Sequence, residues 1–156
     1  MRVGVLSDSH GFTGRLSTIL MVMEAGGPID ALIHLGDGYD DLRALEVPLP
    51  PVYQVAGNCD FFRSDTLDTV CLSGARLLLT HGHRQHVKEG LGDLMSLALR
   101  ENVHAALFGH THVQQCRWEN GLLLLNPGAV TDGKFAVLTI SRLGAIEPAL
   151  LSLDKA

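Results

Sequence analysis

The chain has 156 residues, of which 46% are hydrophobic and 19% are charged, and its formal net charge is -5. This composition predicts one soluble globular domain over residues 1–156 and argues against intrinsic disorder. The acidic balance and the scattered Lys and Arg residues argue against bulk nucleic-acid binding.

Three cysteines without a C-x-x-C pair argue against a disulfide framework and a thiolate zinc site, and favour a reducing setting. Asp8 follows Met1 too closely for a signal peptide, and no apolar run approaches the roughly 18 residues that span a bilayer. We therefore expect a cytoplasmic protein that does not insert into membranes. The oligomeric state is left open, a homo-oligomer included.

Three apolar runs in the first half of the chain predict buried strands, each ending in polar side chains. The runs are residues 3–6, 30–35 and 52–56, and they lead to Asp8 and His10, to Asp37, and to Asn58 and Cys59 respectively. Apolar residues at helical spacing predict a helix over residues 15–25, with Met21 and Met23 in the core, and a short helix near residues 40–45.

The second half begins with a predicted hairpin, residues 67–72 and 76–80, which ends at His81 and His83. Residues 87–99 predict an amphipathic helix with Leu91, Leu94, Met95, Ala98 and Leu99 on one face. A strand over 105–108 leads to His110 and His112, and strands follow at 113–118, 122–125, 135–141 and 149–153.

The pair His110 and His112 suggests a metal site. In extended backbone such side chains point to the same side, about 6.6 Å apart, and can serve two ions roughly 3.5–4 Å apart. A lone pair of this kind often merely faces solvent, so the prediction depends on the other strand ends.

Five strand ends carry potential ligands, namely Asp8 with His10, Asp37, Asn58, His81, and His110 with His112. Oxygen and nitrogen ligands without thiolates favour Mn, Fe, Zn, Co or Ni over Mg or Ca. We expect two divalent ions, with Mn²⁺ as first choice and Ni²⁺, Fe²⁺, Zn²⁺ or Co²⁺ as alternatives. One carboxylate must bridge them, and Asp37, flanked by glycines, is the natural choice.

These blocks resemble the calcineurin-like metallophosphoesterase superfamily, whose pattern is D-x-H, G-D, G-N-H-D/E, a later H and G-H-x-H. They stand here as Asp8-Ser9-His10, Gly36-Asp37, Gly57-Asn58-Cys59-Asp60, His81-Gly82-His83 and Gly109-His110-Thr111-His112. The resemblance covers about the first 130 residues. It implies an α/β fold of four layers, an αββα sandwich of two mixed β-sheets flanked by helices.

The resemblance also implies a ligand set for each metal: Asp8, His10, Asp37 and His112 for one ion, and Asp37, Asn58, His81 and His110 for the other. Cys59 stands where the wider superfamily has a histidine that donates a proton. A small-phosphodiesterase branch of the superfamily resembles this chain in having Gly-Asn-Cys-Asp there. A neutral thiol is a weaker acid than an imidazolium, so we expect good leaving groups to be preferred. His83 is left open as a replacement acid or a loop residue.

The function expected is hydrolysis of a small phosphoester, most simply a phosphodiester, by a hydroxide that bridges two metals and attacks phosphorus in line. Catalysis would then depend on Asp37, Asn58, Cys59 and His83. The alternatives are a phosphomonoesterase of the same fold and a non-catalytic scaffold like a retromer subunit with this fold.

Several residues have a structural interpretation instead. The consecutive Asp8, Ser9 and His10 cannot form a serine-hydrolase triad. His34 lies inside a strand and is expected to be a core residue, whereas His86 is expected in a solvated loop. Asp60 either orients a ligand histidine or belongs to a turn, and Cys71 and Cys116 are expected to pack in hairpin strands.

Overall fold

The structure is a computed structural model that describes residues 1–155. The strands are β1 Arg2–Leu6, β2 Ala31–His34, β3 Val52–Gln54, β4 Leu67–Leu72, β5 Ala75–Thr80, β6 Ala105–Leu107, β7 Gln115–Glu119, β8 Leu122–Asn126, β9 Lys134–Ile140 and β10 Ile146–Ser152. The helices are α1 Thr13–Ala25, α2 Asp41–Ala44 and α3 Gly92–Arg100, with short 3₁₀ turns at His83–Gln85, Val130–Asp132 and Leu153–Lys155. Within residues 1–155, no helix combines the length and apolar character that crossing a membrane requires.

The ten strands form two mixed sheets of five strands each across residues 1–155. The first has the order β10-β9-β1-β2-β3, in which β1, β2 and β3 are parallel and β9 is antiparallel to both of its neighbours, β1 and β10. The second has the order β4-β5-β6-β8-β7, in which β5, β6 and β8 are parallel. The carboxyl ends of parallel strands are where open α/β sheets place their ligands, so each sheet offers such an edge.

The two sheets pack face to face around one apolar cluster. Val5 and Ile33 from the first sheet and Leu77, Leu107 and Leu125 from the second are fully buried in it. A second cluster joins α1 to the outer face of the first sheet, and a third joins α3 to the outer face of the second. The predicted four-layer αββα sandwich is therefore confirmed, since an apolar surface must be covered on both faces of each central sheet.

Some predicted core positions are wrong. Met21 is 71% exposed and Leu99 is 68% exposed, because each lies on the solvent side of its helix. Cys71 and Cys116 are also exposed, since β4 and β7 are the edge strands of the second sheet. Helix α3 begins at Gly92 rather than residue 87, and Gly90, with φ +138°, adopts a backbone that is not helical.

Candidate metal centre

Six of the seven predicted metal ligands converge between the two sheets. They follow the carboxyl ends of β1, β2, β5 and β6 and form two groups, Asp8 with His10 and His112, and Asp37 with His81 and His110. Within each group the potential ligand atoms all lie within 4.8 Å of one another. The structure therefore brings together three of the four residues that the superfamily pattern implies for each ion, with Asp37 outside the first group and Asn58 outside the second.

The first group is organised by Asp8, which is fully buried. Its Oδ2 accepts hydrogen bonds from Ser7 Oγ at 2.6 Å and from the His110 backbone N–H at 3.1 Å. Its Oδ1 has no hydrogen-bond partner within the described residues, yet it lies 3.7 Å from His10 Nε2 and 3.2 Å from His112 Nε2. A buried carboxylate oxygen facing two imidazole nitrogens is a site for a cation.

The second group is organised by His81, which is fully buried. Its Nδ1 lies 2.8 Å from the carbonyl oxygen of Leu35 and must carry the proton there, which leaves the Nε2 lone pair free. This Nε2 lies 3.2 Å from His110 Nδ1 and 3.3 Å from Asp37 Oδ2. Three electron-rich atoms so close together need a proton or a metal ion between them.

Asp37 connects the two groups. Its Oδ2 lies 3.7 Å from His10 Nε2 as well as 3.3 Å from His81 Nε2. Its Oδ1 accepts a hydrogen bond of 2.8 Å from the backbone N–H of Cys59, so the carboxylate is held in one orientation. Asp37 Oδ2 therefore faces one imidazole from each group, and its role as the bridging ligand stays a prediction.

The charges in this cluster shift the pKa values of Asp37 and His81 in opposite directions. Burial raises the pKa of Asp37, but the hydrogen bond and charge of His81, with the Cys59 N–H and the charge of His10, outweigh it and lower the pKa well below its usual range. Burial lowers the pKa of His81, yet Asp37 and Asp8 outweigh it and raise the pKa above 6.5. The cluster thus attracts positive charge, and its carboxylate and imidazole donors fit divalent metal ions.

Strained backbone places the ligands. Asp8, His10, Asp37, His110 and His112 all have positive φ, between 44° and 72°. Such conformations are uncommon for residues other than glycine and concentrate at functional sites. The prediction that His110 and His112 lie in extended backbone is wrong, because the strand ends at Leu107 and the turn sends the two imidazoles into different groups.

Glycines allow the loops to approach one another. A Cβ on Gly57 would clash with Asp37 Oδ1 and with the Asp37 backbone nitrogen. A Cβ on Gly36, which has φ +102°, would lie 2.5 Å from the backbone nitrogen of Gly57. Both positions therefore require glycine for close packing, and Gly36 also requires it for its backbone conformation.

Asp60 has a role that neither sequence interpretation anticipated. Its Oδ2 accepts backbone hydrogen bonds of 2.8 Å from Asp37 and Gly57, and its Oδ1 accepts bonds of 3.0 and 3.1 Å from Gly38 and Tyr39. One carboxylate therefore fastens the loop after β3 to the loop after β2. It holds the backbone of Asp37 instead of orienting a histidine.

A buried hydrogen-bond network holds the loop after β1 against the end of β2. His34 Nδ1 accepts the Gly36 N–H at 3.2 Å, so its Nε2 donates to Ser9 Oγ at 2.9 Å, and Ser9 Oγ donates to Asp41 Oδ2 at 2.6 Å. His34 and Ser9 are fully buried, and burial lowers the pKa of His34 despite the charges of Asp41 and Asp8. His34 is thus a satisfied core residue, and Ser9 is not a nucleophile.

Asn126 supports the histidine loop in a similar way. Its Nδ2 donates to Gly109 O at 3.1 Å and to Thr111 Oγ1 at 3.0 Å, and its Oδ1 accepts the Gly128 N–H at 2.8 Å. In sequence, Asn126-Pro127-Gly128 shows only the pattern of a turn. The side-chain contacts of Asn126 could not be predicted, because they reach residues 15 and 17 positions away in the chain.

The other predicted catalytic residues surround the metal cluster. Cys59 is exposed and groups with His10 and Asp37, and burial of its thiol and then the charge of Asp37 raise its pKa. The exposed Asn58 has its Nδ2 3.7 Å from Cys59 Sγ, and its role as a ligand stays a prediction. The ring of His83 lies 5.5 Å from that of His81, and burial and the charge of His81 lower the pKa of His83.

Comparisons with known proteins agree with this geometry. Residues 1–143 match the model of the calcineurin-like phosphoesterase superfamily domain. A probable metallophosphoesterase of Bacillus subtilis is 34% identical over 147 residues, which cover 90% of this chain and 85% of that protein. A probable metallophosphoesterase of Mycoplasma pneumoniae is 30% identical over 132 residues, which cover 83% of this chain and 79% of that protein.

Solved structures show the same fold at lower identity. An archaeal phosphodiesterase aligns with a TM-score of 0.74 and 18% identity, covering 97% of this chain and 100% of that one. A zinc complex of Vps29 from Entamoeba histolytica aligns with a TM-score of 0.71 and 22% identity, covering 97% and 99%. With the family model and the Bacillus relative, these findings establish that the chain belongs to the calcineurin-like phosphoesterase superfamily, a family of metal-dependent phosphoester hydrolases.

Proposed function

We propose that this protein is a phosphodiesterase that works with two divalent metal ions, Mn²⁺ being the first choice, on a small phosphoester substrate. The observation that carries the proposal is the pair of donor groups that Asp37 Oδ2 connects, since it lies 3.7 Å from His10 Nε2 in one group and 3.3 Å from His81 Nε2 in the other. Asp8, His10, Asp37 and His112 would hold one ion, and Asp37, Asn58, His81 and His110 the other. Bound there, the two ions supply a nucleophilic hydroxide from water and neutralise charge on the phosphoryl oxygens.

The protein's own residues set the geometry of this reaction. Asp37 is oriented by the Cys59 N–H, and His81 by the Leu35 carbonyl, so both present fixed ligand atoms. The Cys59 thiol has a raised pKa and therefore stays protonated at neutral pH, where it can donate a hydrogen bond to a leaving oxygen. His83 is proposed to contact the substrate from the His81 side, since its ring lies 5.5 Å from that of His81.

A thiol in the acid position favours diesters with good leaving groups over esters that need strong protonation. A phosphomonoesterase of the same fold is the first alternative. The second is a scaffold like Vps29, whose fold this chain shares. Because a zinc complex of Vps29 exists, metal binding alone does not separate these functions, and hydrolysis has to be measured. The exposed, unpaired thiols of all three cysteines support a reducing compartment such as the cytoplasm.

The test compares metal content with turnover. After chelation and reconstitution with Mn²⁺, we expect two ions per chain and faster hydrolysis of bis-p-nitrophenyl phosphate than of p-nitrophenyl phosphate. Asp37→Asn should weaken binding of both ions, whereas His112→Asn should weaken binding of one. His86→Asn is the control, because His86 is exposed and pairs only with Asp93, outside both groups. Two bound ions without any hydrolysis would favour the scaffold function, and a faster monoester reaction would favour the phosphomonoesterase.

A further inference from the structure

Phe61 and Phe62 form an unusual exposed pair. Phe61 is 84% exposed and Phe62 is fully exposed, on the loop that follows β3. The chain has five phenylalanines, of which Phe108 and Phe135 are core residues. The third exposed one, besides Phe61 and Phe62, is Phe12. Each exposed one follows a predicted metal ligand closely, since Phe12 comes two residues after His10 and the pair begins three residues after Asn58.

The loop that carries the pair is fixed at both ends. The Ala56 N–H donates to the Asp65 carbonyl at 2.8 Å, which closes the loop, and Asp60 binds the backbone of the loop after β2. The guanidinium of Arg63 lies 4.5 Å from the centre of the Tyr39 ring, and its NH2 lies 3.0 Å from Asp40. Two aromatic rings are therefore held in solvent on a preformed loop, although exposing their apolar surface to water is unfavourable.

The pair lies within reach of a substrate at the metals. Cys59 Sγ belongs to a group with Asp37 and His10 in which ligand atoms lie within 4.8 Å of one another. Phe61 is two residues and Phe62 three residues beyond Cys59, so their Cα atoms are at most about 7 and 11 Å from its Cα. A substituent on a phosphate held between the metals can reach that distance when it has the size of a nucleoside.

We infer that Phe61 and Phe62 bind a planar aromatic substituent of the phosphoester, a nucleobase being the natural example, by stacking. The inference rests on the proposed function, since it concerns the substrate of the same site. A protein partner is disfavoured by area: two phenylalanine side chains bury about 150–250 Å² each, well below the roughly 800 Å² per partner of a stable interface. The neighbouring Asp60, Arg63, Ser64 and Asp65 do not extend the apolar surface.

The test measures binding to Mn²⁺-loaded protein by calorimetry, with thymidine 5′-monophosphate and methyl phosphate as probes. The two share the phosphate and differ in the nucleoside, of which only the thymine base is aromatic and can stack. Stacking on an aromatic residue contributes about 5- to 150-fold in affinity, so we expect the nucleotide to bind more tightly by a factor in that range. The double variant Phe61→Ala/Phe62→Ala should lose the difference and retain the affinity for methyl phosphate.

The matched control is Leu143→Ala. Leu143 is 96% exposed, and it lies in the turn between β9 and β10, at the opposite edge of the first sheet from the metals. If the double variant preferred the nucleotide over methyl phosphate as strongly as the wild type does, the inference would be overturned. It would also be overturned if the wild type self-associated, and the double variant lost this self-association but kept the ligand preference. Failure of the proposed function would look different: neither phosphate would bind in a metal-dependent way.

Discussion

Replacing Asp60 by Asn tests whether this carboxylate holds the bridging ligand in place. Asp60 accepts four backbone hydrogen bonds, two on each oxygen. In Asp60→Asn, either orientation of the amide turns its NH₂ group toward two of these N–H donors. Each unsatisfied donor costs about 1–3 kcal/mol, so the sum is about 2–6 kcal/mol. Because Asp60 is partly exposed and water can relieve some of this cost, we expect the lower half of the range.

The damage should also reach the metals, since Asp37 N and Gly57 N are among the four donors. Substituting a residue that orients metal ligands typically lowers metal affinity about 10–100-fold. Urea unfolding in the presence of a chelator gives the loss of stability, and calorimetric titration with Mn²⁺ at a temperature where the variant is folded gives the loss of affinity.

Asp40→Asn is the control for this experiment. Asp40 lies on the loop after β2, which Asp60 fastens, but its side chain is 65% exposed and pairs with Arg63, which is itself 39% exposed. Exposed pairs of this kind contribute about 0–1 kcal/mol, so this variant should resemble the wild type in both measurements. If Asp60→Asn also unfolded within about 0.5 kcal/mol of the wild type and bound Mn²⁺ normally, the role assigned to Asp60 would be refuted.

Two further variants test the other side chains that the structure singles out. Burial lowers the pKa of His34 below 6.5, so the unfolded chain takes up a proton that the folded chain excludes. His34 therefore contributes a loss of stability to the metal-free protein as the pH falls below about 6.5, by at most about 1.4 kcal/mol per pH unit. His34→Gln should remove this contribution, and a difference in urea stability between pH 7.5 and 5.5 equal to that of the wild type would contradict the assignment. Cys59→His should accelerate esters with poor leaving groups by part of the usual 10²–10⁴-fold benefit of a general acid, and good leaving groups little. Plots of log kcat against leaving-group pKa should flatten in this variant, and parallel plots would show that Cys59 is not at an acid position.

The clustering of the candidate ligands could be predicted from the sequence because each follows a recognisable apolar strand. Asp8, Asp37 and His81 come directly after runs whose burial is obvious, and the carboxyl ends of such strands meet at one edge. Gly36, which precedes Asp37, likewise predicted a sharp turn, and its φ of +102° confirms this turn. These features are local, and local sequence is sufficient for them.

Other features depend on which distant segments meet. Asp60 could have been an ordinary turn residue, and only the approach of the loop after β2 gives its oxygens four donors. Cys71 was expected to pack, but β4 is an edge strand, and a strand's position in a sheet cannot be read from the strand itself. Met21 and Met23 have the same helical neighbourhood, yet only Met23 faces the sheet.

The centre is held by backbone contacts that do not involve a metal. Asp8 N donates to Gly36 O and His10 N donates to Asp37 O, both at 2.9 Å. The loops after β1 and β2, in which Asp8, His10 and Asp37 have positive φ, therefore stabilise each other. Asp60 and Asn126 fasten the remaining loops. Since these bonds already fix the strained backbone, metal binding needs little further ordering of the chain, and the affinity of the site depends on the residues that hold the loops as well as on the ligands.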